Sequence, residues 1–153
     1  MLTPSVPVRS IPVRRRPRRT HQHGAMGTVR KAVIVDDNPA HTVLLSRALE
    51  NKYQGVEIQA FNDPLQSIKA FGPDLHVLIM DMEMPGIDGR KLLELACQLG
   101  VRRQRCIILS SLEADDLHRS FPAGTCLAVI NKDDPRQLNA LSLILDSIMR
   151  KPV

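Results

Sequence analysis

The chain has 153 residues and a formal charge of +5, room for one domain and little beyond it. No apolar run approaches the ~20 residues of a membrane span, and with aromatics at only 3% the core must be aliphatic. The charge is not spread evenly. Residues 1–28 carry six arginines and no acid, while the remaining 15 basic and 16 acidic side chains leave residues 29–153 at −1. That balance argues against a nucleic-acid-binding surface on the folded body.

Residues 1–28, rich in Pro, Arg, Ser and Thr, cannot bury enough surface to offset chain entropy and are expected to be disordered. RRRPRRT resembles a twin-arginine export signal only in its arginines, because the following THQHGAMG is not an apolar h-region. The segment reads as a solvated basic tail or as sequence ahead of a true start at Met26. An arm seeking phosphate or a membrane surface through counterion release is the alternative.

From Lys31 apolar strands alternate with amphipathic segments. KAVIVDD is a strand ending in acids, followed by a helix over PAHTVLLSRALENK. Asn38 stands at its N-cap, Pro39 in its first turn, and Val43, Leu44, Leu45, Ala48 and Leu49 at helical spacing. VEIQAF alternates as a second strand. DPLQSIKAF reads as a short helix with Leu65, Ile68 and Phe71 on one face. DLHVLIMD is a third strand, and GRKLLELACQLG a helix stopped at Gly100. RCIILSS is a fourth strand, LEADDLHRSF a weak helix ended by Pro122, CLAVIN a fifth strand, and PRQLNALSLILDSIMR a closing helix. Five strands alternating with five helices predict an α/β domain, a parallel sheet covered on both faces. Cys97, Cys106 and Cys126 lack metal-binding spacing and read as buried thiols of a reducing compartment.

Ligands of such sheets bind beyond the carboxyl ends of the strands. Those ends carry Asp36 and Asp37, Asp81, Ser110 and Ser111, and Lys132. Three carboxylates together require a cation, and one lysine is insufficient; an all-oxygen donor set selects Mg²⁺ or Mn²⁺. No glycine-rich nucleotide loop is present, so a phosphoryl group would come from outside. Asp81, alone on a central strand, is the candidate nucleophile. His41, His76, Asp133 and Asp134 read as structural or surface residues, and Asp115 and Asp116 as helix N-terminal charges.

VDD, MDMEMPGIDG, LSS and NK, in that order and spaced 44, 29 and 22 residues from Asp37 through Asp81 and Ser110 to Lys132, resemble the receiver domain of two-component response regulators. The resemblance covers residues 29–150. It implies a flavodoxin-like doubly wound sheet in the order 2-1-3-4-5. It makes Asp81 the phosphoacceptor, Asp37 and Asp81 direct metal ligands, Asp36 a ligand through water, and Glu83 a ligand through its backbone carbonyl with its side chain near the mouth of the site. Ser110 would bond a phosphoryl oxygen and Lys132 would pair with the acyl phosphate. A histidine kinase or phosphotransfer protein is the implied donor, and the location cytoplasmic. With only Arg150 to Val153 after the last helix, output is expected through docking on a downstream protein or by phosphorelay, and a second copy in a homodimer is among the partners considered. The chain is expected to be a switch and not an enzyme. Val129 occupies the position three before Lys132 where many relatives carry Tyr or Phe. A constitutive interaction module whose switching has lapsed is therefore the competing reading.

Overall fold

The computed structural model describes residues 29–150 apart from 114, 115, 117 and 118. The tail therefore lies outside the described residues, as does much of the segment expected to form the fourth helix. The strands are β1 (Arg30–Val35), β2 (Val56–Phe61), β3 (Val77–Asp81), β4 (Cys106–Ser110) and β5 (Ala128–Asn131), all parallel, in the order β2-β1-β3-β4-β5. Four α-helices appear among the described residues: α1 (Pro39–Lys52), α2 (Pro64–Ser67), α3 (Gly89–Gln98) and α4 (Pro135–Met149).

The expected doubly wound architecture is present, and the pleat explains it. Val33, Val35, Leu78, Met80, Cys106 and Ile108 face one side, against Leu92, Leu93 and Ala96 of α3 and the turn after α2. Ala32, Ile34, Val77, Ile79, Ile107 and Ile130 face the other, against α1 and α4. A central strand buried on both faces needs no polar residue until its end, and all five residues of β3 are buried.

The helix starts follow their capping chemistry. Asn38, Asp63, Asp88 and Asp134 each accept from the backbone N–H two residues on, at 2.9–3.0 Å. Gly100, at φ 103°, ends α3, where its N–H reaches Cys97 O.

Two helix faces differ from expectation. In α1, Val43 and Leu44 are exposed and Thr42 is buried. The Thr42 hydroxyl tolerates burial because it donates to Pro39 O and accepts from Asn62 Nδ2. In the second helical segment Leu65 is 63% exposed, while Pro64 and Ser67 are buried. The α-turn passes into a 3₁₀ turn over Ile68–Ala70; Pro64 and Ser67 take the inward positions before it, and Ile68 and Phe71 pack against the core without Leu65. The cysteines are free thiols, but only Cys106 is fully buried; Cys97 and Cys126 are half-buried.

Candidate functional site

Parallel register brings the strand ends together. Val35 pairs with Met80, so Asp36 and Asp81, the next residues on neighbouring strands, stand side by side. Asp36 N–H still bonds Phe61 O, and Lys132 N–H still bonds Ser110 O, so both positions remain fixed by the sheet. From the far side of β4, the Lys132 side chain reaches across to Asp81, with Nζ 2.7 Å from Oδ2.

Asp36, Asp37 and Asp81 each offer a carboxylate oxygen, and these lie within 4.8 Å of one another. Asp37 is exposed, whereas Asp36 and Asp81 are buried. Burial first, and the neighbouring Asp81 charge, hold the Asp36 carboxyl above its ordinary range against the pull of Asn38 N–H, Lys132 and His41. Burial alone would lower the Lys132 ammonium; its bond to Asp81 and the surrounding acids outweigh that and hold it above its ordinary value. One ammonium against three carboxylates leaves the cluster short of positive charge. The donors are all oxygen and one is open to solvent, so they fit a hard divalent cation such as Mg²⁺.

Glu83 approaches the site in two ways. Its backbone N–H donates to Asp81 Oδ1 at 2.9 Å. Its carboxylate accepts from Ser110 Oγ at 2.7 Å, from Ser111 Oγ at 2.8 Å, and from Ser111 N–H at 3.3 Å to each oxygen. Burial would raise this carboxyl, but the two serines outweigh it and hold it below the ordinary range.

All six residues singled out in the sequence thus meet at one rim: Asp36, Asp37, Asp81, Glu83, Ser110 and Lys132. Three further features had not been anticipated. His41 Nδ1 lies 3.2 Å from Asp36 Oδ2, because the Asn38 cap sets the first turn of α1 over the strand end. Ser111 shares Glu83 with Ser110. The Glu83 carboxylate, expected near the mouth of the site, is turned onto those serines. Only the adjacency of the two serines and the short Asp81–Glu83 spacing hinted at this.

A five-stranded parallel sheet in the order β2-β1-β3-β4-β5, with acids, an amine and an alcohol at its rim, defines a flavodoxin-like α/β domain. A sequence profile for the response regulator receiver domain matches residues 32–146, and the chain belongs to that family. It is 36% identical over 74 residues to the transcriptional regulatory protein TrcR of Mycobacterium tuberculosis, covering 46% of this chain and 27% of that protein. It is 28% identical over 111 residues to the cyclic di-GMP phosphodiesterase response regulator RpfG of Xanthomonas campestris, covering 71% and 29%. The chain thus spans less than a third of the length of these curated relatives. Among solved structures, the chemotaxis response regulator CheY4 of Vibrio cholerae aligns with a TM-score of 0.59 at 20% identity, covering 77% of this chain and 100% of that one. A receiver domain from Clostridium thermocellum aligns with a TM-score of 0.63 at 19% identity, covering 79% and 94%. The family is a signalling module of two-component systems, associated with phosphorylation and Mg²⁺. No helix among the described residues is long and apolar enough to cross a membrane.

Proposed function

We propose that the chain is a phosphorylation-operated switch in which Asp81 accepts a phosphoryl group from a phosphohistidine of a histidine kinase or phosphotransfer protein. The carrying observation is the 2.7 Å pairing of Lys132 with a buried aspartate that stands among further acids. An apolar strand that buries a carboxylate beside other carboxylates loses stability by it, and a functional charge accounts for that loss.

Each residue then has a part. A lone pair of Asp81 attacks phosphorus, a P–O bond forms, and the donor's N–P bond breaks with its electron pair returning to the imidazole nitrogen. Lys132 pairs with the acceptor and then with a phosphoryl oxygen, offsetting negative charge. Ser110 donates its hydroxyl to another phosphoryl oxygen. Asp36, Asp37 and Asp81, with the Glu83 backbone carbonyl, would hold Mg²⁺, with Asp36 acting through water. When bound, the ion supplies neutralisation of equatorial phosphoryl charge. Beside the rim, a groove of about 470 Å³ runs between α1 and α4, lined by Asp36, Leu44, Leu45, Lys132 and Leu138. Its apolar wall continues directly into the acceptor site, which suits docking of the donor. Resemblance to the signal transduction histidine-protein kinase BarA of Shigella flexneri, 35% identical over 83 residues, supports a two-component setting. Output is through protein docking or onward relay, in a cytoplasmic location.

The test is incubation with Mg²⁺ and acetyl phosphate, read by intact-protein mass. Wild type should gain one phosphoryl group, and Asp81→Asn none. Equal labelling of both would sink the assignment. Val129 favours a second reading, a constitutive interaction module. It is half-buried in β5 and packed against the core, leaving no ring to rotate. Under that reading Mg²⁺ and beryllofluoride would leave the oligomeric state and near-UV spectrum unchanged.

A further inference from the structure

We propose that the Glu83 carboxylate is a positioning group that competes with a phosphoryl group on Asp81 for the Ser110 hydroxyl. The proposal rests on Asp81 being the phosphoacceptor. It assigns to the Glu83 side chain a part distinct from that of its backbone carbonyl.

Ser110 is fully buried, and a serine hydroxyl has one hydrogen to give. That hydrogen goes to Glu83 Oε1 at 2.7 Å, while Leu112 N–H fills an acceptor position on Ser110 Oγ itself at 3.1 Å. Ser110 therefore binds a phosphoryl oxygen only by turning away from Glu83. The exchange replaces one charge-assisted hydrogen bond with another, so much of the benefit of the new bond is cancelled. A free hydroxyl would contribute in full.

Glu83 does not simply leave. The Ser111 hydroxyl at 2.8 Å and the Ser111 N–H retain its carboxylate at the mouth after Ser110 has turned. The clasp joins the loop after β3 to the loop after β4. Glu83 N–H on Asp81 Oδ1 links the same residue to the acceptor. Opening of the Glu83–Ser110 bond therefore couples occupancy of Asp81 to the two loops, in a domain where Val129 cannot couple it to a ring.

Two effects of Glu83 on an incoming anion must be separated, its repulsion through space and its hold on Ser110. A double-mutant cycle does so. Binding of Mg²⁺ with beryllofluoride, measured by calorimetry, should tighten about tenfold in Glu83→Ala, the worth of one hydrogen bond to a charged group. In the Ser110→Ala background the same change should give a markedly smaller gain. Glu83→Gln, which keeps an acceptor for Ser110 but removes the charge, should fall between wild type and Glu83→Ala. Glu83 is exposed but Ser110 is buried, so unfolding curves of every variant are recorded beside the titrations, and only folded variants enter the cycle. An equal factor in both backgrounds would mean repulsion alone and overturn the clasp. So would unchanged or weaker binding in Glu83→Ala while Asp81→Asn still abolishes the response. Binding indifferent to Asp81→Asn would instead overturn the phosphoacceptor reading, and the clasp with it.

Discussion

Replacing Asp36 by Asn should stabilise the protein in EDTA and weaken its response to Mg²⁺. Asp36 and Asp81 offer oxygens within 4.8 Å of each other, at which separation two charges repel by about 3.5 kcal/mol at an effective dielectric of 20. Lys132 attracts Asp36 as well, and His41 Nδ1 stands 3.2 Å from its Oδ2, so roughly half should survive, about 2 kcal/mol. Asn preserves the acceptor for Asn38 N–H, which lies 2.9 Å from Asp36 Oδ1, so the start of α1 should hold. A melting temperature higher by about 4–8 °C is expected at pH 7. The advantage must depend on pH. Burial, and then the Asp81 charge, hold the folded Asp36 carboxyl above its unfolded pKa. The folded state therefore binds its proton more tightly, and the stability this contributes is complete below the unfolded value near 4 and lost as pH rises through the folded value. The gap between Asn and wild type should accordingly close as pH falls toward 4. Mg²⁺ at ten times its dissociation constant should stabilise wild type by about 1.4 kcal/mol and the variant by less. Thermal melts at pH 4, 5.5 and 7, with EDTA and with Mg²⁺, measure all of this. A variant less stable than wild type in EDTA at pH 7, or a gap independent of pH, would refute the reasoning.

Gly89→Ala should destabilise by about 1–3 kcal/mol in urea unfolding, because a Cβ there would lie 2.8 Å from Met82 Cα and 3.2 Å from Met82 O. A neutral result would mean that the loop after β3 shifts freely. Burial pushes the Cys106 thiol up to about 12, so iodoacetamide at pH 8 should spare it in the folded protein and label it in urea. The same upward shift gives stability that is full below the unfolded thiol value near 8.5 and lost toward 12, at about 1.4 kcal/mol per pH unit. Melting temperature should therefore fall between pH 9 and 10, and less steeply in Cys106→Ala. Tyr53, raised by burial and by its bond to Asp146, adds a loss of the same sign above about pH 10.

The sequence by itself determined the alternation of strands and helices, the strand ends and the helix caps. These are local matters of periodicity and capping. A run such as VLIM stops at Asp81 where the polar rim of the sheet begins, and Asn38–Pro39 is a local helix start. Once five strands are parallel, their ends share one rim, so Asp36, Asp81, Ser110 and Lys132 were legible as neighbours.

Tertiary structure alone decided which side of a helix faces inward and which partner a polar side chain takes. Five apolar positions in α1 span too wide an arc for one core face. The sheet accepted Leu49, left Leu44 outside, and allowed Thr42 inside because Asn62, from the bend after β2, meets its hydroxyl. Glu83 likewise has several acceptable neighbours by sequence. It took Ser110 and Ser111 because the register of β3 on β4 brings those hydroxyls within 2.8 Å of it. A hydrogen bond needs tenths of an ångström, and only strands packed side by side set positions that closely.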